Sequence, residues 1–378
     1  MAARYFINGG VDSNWSTSGN WSATDGGAAS GVKPTASDDV FFTSNSPNCT
    51  VNTAGVGLTL NFTGYASTIT MTAGLTISGS VTLVSAMTIA GTGGLIVSAT
   101  STLTSNTKVW PNALTLQGTS THTLADNWNV DGLLSVGGGT ITINGFQITA
   151  SAGLTQAGNN TSGTTNIIMD GTGTITHSTS AGALRNNLTI NTAGTITFAT
   201  TFAFLYDTGT FTYTAGTVVT TGSTLTVGVT TTLAVAGITW NNVNLTTANG
   251  QTITLNENLN LTGLLTLASS TNSITLTGST INAGGGVRFG GSSGTVSGTT
   301  VINVNGTGTL DGPSATSGRI DNPITINAPS GTVTIATAGD TPFRMLLNQL
   351  NCVAGTIVTD TGTWTAFGGG EESSSVFG

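Results

Sequence analysis

The sequence predicts an all-β fold, a parallel β-helix (β-solenoid), right-handed, with an aromatic-rich N-terminal capping module. Three observations predict this fold. Apolar-Thr-apolar triplets start every six residues through 69–89. Gly, Asn and Ser separate the triplets, and the chain holds 54 Gly. Amphipathic helical spacing is almost absent, and only 341–351 could form a turn or two of helix.

Each triplet is long enough for one short strand. Alternate side chains of a strand point to opposite faces, so a triplet sends two apolar side chains to a core and its Thr to solvent. Strands of three residues are too short for stable hairpins, but they are stable when similar strands stack at about 4.8 Å. We therefore expect coils of roughly 18–25 residues, on the order of 15 in number. Further triplets start at 58, 114, 141, 188, 253, 274, 324 and 333.

Two structural alternatives remain open at this point. A β-sandwich would have longer antiparallel strands, and 224–240 alternates in that way. Asn144, Asn191 and Asn327 each follow a triplet. They are either members of stacked amide ladders at the coil corners or ordinary turn residues.

The chain divides into three predicted regions. Residues 1–56 form an N-terminal cap or docking module, 57–367 the solenoid, and 368–378 a flexible tail. Within the solenoid, 126–235 and 257–364 read as two copies of one long unit. Their clearest match is "NNLTINTAGTITFAT" with "NPITINAPSGTVTIAT". The charged residues are not shared between the copies, which argues against a duplicated active site.

Charge and hydropathy exclude several classes of protein. Charged residues make up 6 % of the chain, against roughly 25 % in soluble domains, so hydroxyls and amides keep the surface wet. The net charge is −8 and Lys and Arg are not clustered, which predicts no nucleic-acid partner. Apolar runs are too short for a membrane span. The N-terminus lacks the apolar segment of a secretory signal.

We assign no catalytic, cofactor-binding or metal-binding residue and expect no enzymatic activity. Glycoside hydrolysis needs two carboxylates about 5–10 Å apart. The acids nearest in sequence are Asp126 with Asp131 and Asp311 with Asp321, and Asp is commoner as a turn residue.

Metal and ice binding are equally weak readings. His122 and His177 are too few for a zinc site with Cys49 and Cys352, which we expect to be buried and unbridged. Asp38 and Asp39 could ligate Ca²⁺ with loop carbonyls. The regular threonines Thr70, Thr76, Thr82 and Thr88 resemble the flat threonine arrays of ice-binding β-helices. Such an array would need this regularity over a whole face, and here it lasts only over 69–89.

The first fifty residues are rich in aromatic side chains. A terminal coil exposes an open core and unpaired edges, so this bulk could plug the end, dock a partner or stack on sugars. The residues concerned are Tyr5, Phe6, Trp15, Trp21, Phe41 and Phe42.

The same region carries a resemblance. "NWSTSGNWS", a Gly-rich segment, Pro34 and "DDVFF" resemble the start of β-helix virion proteins of tailed bacteriophages of aquatic bacteria. "FTYTAGTVVTTGSTLTV" and "GITWNNVNLT" are similar to that group too. The resemblance implies a structural protein, a fibre, appendage or capsid decoration, located in the virion after assembly in the host cytoplasm. It implies other virion proteins as partners, with self-association and a host-surface glycan or protein as further options. The alternatives are an extracellular or cell-surface bacterial adhesin and, third, a polysaccharide-depolymerising tailspike-like enzyme.

Overall fold

The computed structural model is an all-β solenoid of about 13 turns, so the predicted fold class is confirmed. It describes residues 1–10, 12–158, 160–177, 182–199, 202–204, 210–228, 230–246, 250–268, 273–289, 294–312, 318–336, 343–346, 350–359 and 364–367. The predicted tail lies outside these residues. The described part contains one 3-10 helix, Ser18–Asn20, and no helix long and apolar enough to cross a membrane.

The chain forms two compact units, of which the first comprises Met1–Ile196 and Ala215–Thr217. Its strands are β1 Ala3–Phe6, β2 Trp21–Ser22, β3 Asp39–Phe41, β4 Cys49–Val51, β5 Gly55–Gly57, β6 Thr59–Asn61, β7 Thr68–Met71, β8 Leu75–Ile77, β9 Val81–Thr82, β10 Thr88–Gly91, β11 Leu95–Val97, β12 Ser101–Thr104, β13 Val109–Trp110, β14 Leu114–Gln117, β15 Ser120–Leu124, β16 Trp128–Val130, β17 Leu134–Gly137, β18 Ile141–Gly145, β19 Ile148–Ala150, β20 Gly153–Ala157, β21 Thr161–Ser162, β22 Asn166–Met169, β23 Gly173–His177 and β24 Asn187–Phe198, whose last two residues belong to the second unit.

The second unit comprises Thr197–Thr214 and Val218–Gly378. Its strands are β25 Phe202–Phe204, β26 Phe211–Val219 (shared with the first unit), β27 Thr224–Val227, β28 Thr231–Ala234, β29 Thr239–Trp240, β30 Asn242–Thr246, β31 Gln251–Leu255, β32 Leu259–Leu261, β33 Leu265–Ala268, β34 Ile274–Gly278, β35 Ile281–Ala283, β36 Gly286–Phe289, β37 Thr295–Gly298, β38 Ile302–Val304, β39 Gly308–Asp311, β40 Arg319–Ile320, β41 Ile324–Ala336, β42 Phe343–Leu346, β43 Leu350–Thr359 and β44 Trp364–Phe367. The stretch 343–346 is therefore a strand, and the helical turn considered there is wrong for these four residues.

Each coil of the first unit places one strand on each of three faces. One face stacks β5, β8, β11, β14, β17, β20 and β23. The second face runs from β2 and β1 through β3, β6, β9, β12, β15 and β18 to β21. The third face has two runs, β4-β7-β10 and β13-β16-β19-β22-β24. Pairing among the described strands is parallel except for the antiparallel pair β1–β2, which rules out the sandwich alternative.

The second unit repeats this arrangement. Its faces stack β27-β30-β33-β36-β39, β28-β31-β34-β37-β40-β42-β44 and β29-β32-β35-β38. The long strand β41 turns a corner, because residues 324–326 pair with β38 and residues 333–336 with β39. From β3 onward, paired residues of successive coils are 18 to 27 residues apart, close to the predicted 18–25.

The triplets build the core as expected. In ten of them both apolar residues are buried and the central Thr is half-buried, since the coils above and below cover part of the Thr. These start at 69, 75, 81, 114, 141, 188, 253, 274, 324 and 333. Two triplets depart from the pattern: Leu58 and Ile89 are only half-buried.

Four of the six predicted N-terminal aromatics are buried together. Phe6, Trp15, Trp21 and Phe42 are each at most 2 % exposed. Trp15 and Trp21 meet edge to face at 4.8 Å between ring centroids, and Phe42 stacks on Phe62 at 4.9 Å. These four rings therefore lie in the interior of the first unit. Tyr5 and Phe41, the other two, stack on each other at 4.8 Å and are half-buried.

An amide ladder exists, but at a different place from the one considered. Asn282 donates from Nδ2 to Asn260 Oδ1 at 2.7 Å, and Asn303 donates to Asn282 Oδ1 at 3.0 Å. All three are central residues of strands on one face of the second unit, not corner residues. Asn144 lies within β18, and its Oδ1 accepts a hydrogen bond from the Thr164 backbone N–H of the next coil at 3.2 Å.

The two predicted copies hold the same buried polar pair. Asn186 donates from Nδ2 to the Thr165 carbonyl at 3.3 Å, and Asn322 donates to the Thr300 carbonyl at 3.0 Å. All four residues are fully buried. The long strands β24 and β41 follow these two asparagines directly. This correspondence favours the duplication, which remains a prediction.

Candidate functional site

A groove of about 310 Å³ lies on the third face of the first unit. Its lining combines apolar side chains, hydroxyl groups, one cation and one carboxylate. The lining residues are Ser85, Thr88, Ile89, Thr107, Lys108, Val109, Pro111 and Asp131.

The groove lies where the stacking of the third face is interrupted. β10 is the last strand of its sheet and pairs with β7, while β13 starts the next run and pairs with β16. Side chains replace the missing ladder at both ends of the gap. The Lys108 ammonium donates to the Met87 carbonyl, and Asn112 Nδ2 donates to the Gly93 carbonyl at 3.0 Å.

Ile89 shows what the gap does to the core. It stands in register with Ile69, which is 1 % exposed and faces the interior. Ile89 is half-buried because the groove reaches it. The groove therefore gives a ligand access to a side chain that a regular coil would cover.

The corner that presents Thr107 and Lys108 is strained and braced. Asn106 and Thr107 have φ values of 48° and 65°, in a region that a β-branched residue rarely adopts. Asp126 accepts the backbone N–H of Ser105 at 2.7 Å and of Asn106 at 2.6 Å. Asn106 Nδ2 donates to the Leu83 carbonyl at 2.7 Å. Such strain persists only where the surroundings hold it, and it concentrates at binding sites.

The groove suits binding better than acid–base chemistry. Asp131 lines it, but Asp126, its nearest acid in sequence, uses both carboxylate oxygens to hold the corner. Apolar contact with Ile89 and Val109, combined with hydroxyls and two opposite charges, can hold a small polar molecule.

The other acid pair is also occupied within the chain. Asp311 forms an ion pair with Arg288 at 3.3 Å, and Asp321 with Arg319 at 2.9 Å. Asp170 accepts from Ser151 Oγ, and Glu257 accepts from the Ala236 N–H. These carboxylates brace neighbouring groups. Asp207, Asp340 and Asp360 lie outside the described residues.

His122 is buried between two serines. Its Nδ1 lies 2.8 Å from Ser101 Oγ and its Nε2 2.8 Å from Ser120 Oγ. Ser120 Oγ donates to the Gln117 carbonyl, so Nε2–H donates to Ser120 and Nδ1 accepts from Ser101. Burial lowers the pKa of His122 to about 4. The ring is neutral at pH 7, and because Ser101 is only 5 % exposed, this contact is a core contact.

The two cysteines differ. Both are free, as predicted. Cys49 is buried, and burial raises the pKa of its thiol well above the ordinary value. Cys352 is exposed on β43, so the expectation that both thiols are buried is wrong. Among the described strands, none lies over the core column on which Cys352 stands.

The acids considered for calcium hold backbone and side-chain donors. Asp38 accepts from the backbone N–H of Ala2 and of Thr35, and the Arg4 guanidinium lies 3.6 Å away. Hydrogen bonds from Thr35 and the Arg4 charge outweigh desolvation and lower the pKa of Asp38. Asp39 accepts from Thr59 Oγ1 at 2.7 Å. In the described ranges, three or more His, Cys, Asp or Glu residues never gather as a metal site would require.

The regular threonines do not form one array. Thr70 lies on β7, Thr76 on β8 and Thr82 on β9, and these strands belong to three different faces. The period of six therefore runs around a coil. Along one face Thr76 stacks between Val56 and Ile96, which breaks a flat hydroxyl surface. The ice-binding alternative is wrong for this set.

Comparison of the chain with protein-family models, with curated proteins and with solved structures finds no match. The groove at Ile89 is thus argued from geometry alone. Sequence reasoning missed Lys108 and Ile89. The one signal available was the Pro at 111, which cannot donate to a ladder, because the triplet at 87–89 matches the others in sequence.

Proposed function

We propose that the chain is a structural component of a tailed-bacteriophage virion, decorating the particle or forming an appendage, and that it has no enzymatic activity. The observation that carries the proposal is the parallel solenoid, in which Asp126 braces a corner and Asp311 and Asp321 pair with arginines. The resemblance of 1–50 and of the middle segments to phage β-helix proteins supports the same reading.

The groove is the part of this surface that we expect to meet a host. A glycan or protein group of the host surface would place apolar atoms on Ile89 and Val109 and polar atoms near Lys108 and Asp131. The proposed location is the virion, with other virion proteins as partners. The alternatives are an extracellular or cell-surface bacterial adhesin and, less well supported, a depolymerase.

The deciding experiment tests whether the protein is present on phage particles or on bacterial cells. An antibody raised against the recombinant protein is applied to gradient-purified particles and to intact cells, and both are imaged after gold labelling. Label at one defined site on particles supports the virion proposal. Label on cells with bare particles overturns it in favour of the adhesin.

The same preparation tests the enzyme alternative. The protein is incubated with polysaccharide extracted from the labelled host, and reducing ends are measured. We expect no release. Release that disappears in Asp131→Asn but persists in the matched variant Asp170→Asn would replace the proposal with a depolymerase acting at the groove.

A further inference from the structure

The strand β43 is an unprotected sheet edge. It pairs along one side with β41, and β41 is its only neighbour among the described strands. Its side chains are open to solvent: Val353 is 60 %, Ile357 37 % and Val358 45 % exposed. These are three of the nine large exposed hydrophobic residues of the described chain.

β43 continues the core without being covered. Cys352 stands in register with Ile326, and Ile357 with Val333. Ile326 and Val333 are fully buried, because β43 lies over them. Ile357, one layer further, is 37 % exposed, and no described strand covers it. The strand thus presents an apolar column that a further layer would bury.

Proteins usually guard such edges with charge, Pro or short length. β43 lacks the first two protections, because its sequence LNCVAGTIVT contains neither a charged residue nor Pro. Its ten residues form two arms, 350–352 and 356–359, that follow β41 around its corner with a shift in register between them. The chain as a whole has a net charge of −8, so two copies repel each other where their acidic residues come close. The uncharged edge lets two copies meet with no acidic side chain in the contact.

We propose that β43 joins two copies of this chain, the two strands pairing antiparallel about a two-fold axis. A two-fold contact presents the same strand twice, so each edge supplies the N–H and C=O groups that the other needs. Each copy also covers the other's Ile357 and Val358 with residues of the same kind. A partner with charged side chains would find no counter-charge on β43. This inference is independent of the proposed virion role.

Sedimentation measures the mass of the full chain from about 1 to 100 µM. We expect the sedimenting species of the native protein to have the mass of two chains. Val353→Lys/Val358→Lys should raise the dissociation constant at least about tenfold, because lysines on both edges repel. Leu133→Lys/Phe146→Lys adds the same charge at exposed apolar residues of the first unit and should leave the pairing intact.

The native thiol gives a readout that needs no folded variant. Cys352 is exposed in one copy and Cys49 is buried, so reaction with a chromogenic disulfide reports Cys352. With the reagent in excess, the pseudo-first-order rate constant of Cys352 should fall as the protein concentration rises through the dissociation constant of the pair. A single-copy mass at every concentration, or a thiol rate independent of concentration, overturns the proposal. Growth beyond two copies, or pairing unaffected by the β43 lysines, overturns the two-fold arrangement.

Discussion

At the scale of single residues, close stacking leaves some positions room for glycine alone. A Cβ on Gly137 would lie 1.5 Å from the Ala157 carbonyl oxygen of the next coil. At Gly74, by contrast, the nearest heavy atom would be 3.6 Å away, which is ordinary contact. The two glycines sit in the same kind of coil and differ in how near the next backbone passes.

We therefore expect Gly137→Ala to destabilise the first unit by about 3 kcal/mol or more, since the β17–β20 ladder must shift. Gly74→Ala should change stability by less than about 1 kcal/mol. Urea unfolding of both variants checks this. Equal midpoints for the two would contradict the close approach.

The buried His122 makes stability depend on pH. Its folded pKa of about 4 lies below the ordinary 6.5, so on acidification the unfolded chain takes up the proton first. The stability that the neutral ring allows is present above about 6.5 and is lost as pH falls toward 4, up to about 3 kcal/mol.

Replacing His122 by Gln keeps a side chain able to bond Ser101 and Ser120 but removes the titration. The variant should lose less stability than the native protein between pH 7 and pH 4, measured by urea unfolding at each pH. His177→Gln, which leaves His122 in place, serves as the control. The idea fails if the native chain and His122→Gln lose stability equally.

At the scale of elements, outward side chains tie neighbouring strands together. Asn282 stands between Asn260 and Asn303 and uses both ends of its amide in the ladder. Asn244 also lies between two coils on an outer face, but its buried Oδ1 has no partner in the described structure. The same residue type therefore stabilises one site and is poorly satisfied at the other.

Asn282→Ala should cost about 1–2 kcal/mol because two side-chain hydrogen bonds are lost. Asn244→Ala is the matched control and should be neutral or slightly stabilising, since it removes an unsatisfied group. Thermal unfolding followed by circular dichroism compares them. A larger loss in Asn244→Ala than in Asn282→Ala would mean that the ladder contributes nothing.

At the scale of the whole molecule, the stability of a solenoid is the sum of contributions from each coil and from its contacts with the neighbouring coils. In the first unit Leu134 of one coil stacks on Leu154 of the next, and β17, β18 and β19 lie between them. Repeats that touch only their neighbours can be removed singly, provided that the register of the rest is kept.

Deletion of residues 134–153 removes one such coil and should leave a folded, protease-resistant protein with native strand content. Deletion of 134–143, half of that coil, would place corners under strands and should abolish folding. Circular dichroism and limited proteolysis separate the two. If both deletions behave alike, coil register does not determine the fold.

Much of this architecture could be predicted from local pattern. The triplets specify short strands with two inward side chains, and a coil of 18 to 27 residues follows from three such strands and their corners. The face on which each triplet lies could not be predicted. A period of six residues is expected both when successive triplets lie on different faces of one coil and when they lie side by side in one sheet. Thr70, Thr76 and Thr82 show the difference.

The groove and the exposed thiol of Cys352 could not be predicted from the sequence. Ile89 is uncovered because Lys108 and Asn112 replace a backbone ladder, and that exchange depends on contacts between residues about twenty positions apart. Cys352 is exposed because no described strand lies over β43, although Val353 and Ala354 follow it in sequence. Both depend on what stacks above a residue, which composition does not encode.

The scarcity of ion pairs has a consequence for the medium in which the protein can work. Those among the described residues are Arg4–Asp38, Arg288–Asp311 and Arg319–Asp321, and two of the three are largely exposed on the arginine side. Dissolved electrolyte weakens attraction between such charges within a Debye length of about 8–10 Å but leaves apolar stacking and backbone hydrogen bonds in place. The free energy of unfolding should therefore be similar in dilute buffer and at high salt concentration.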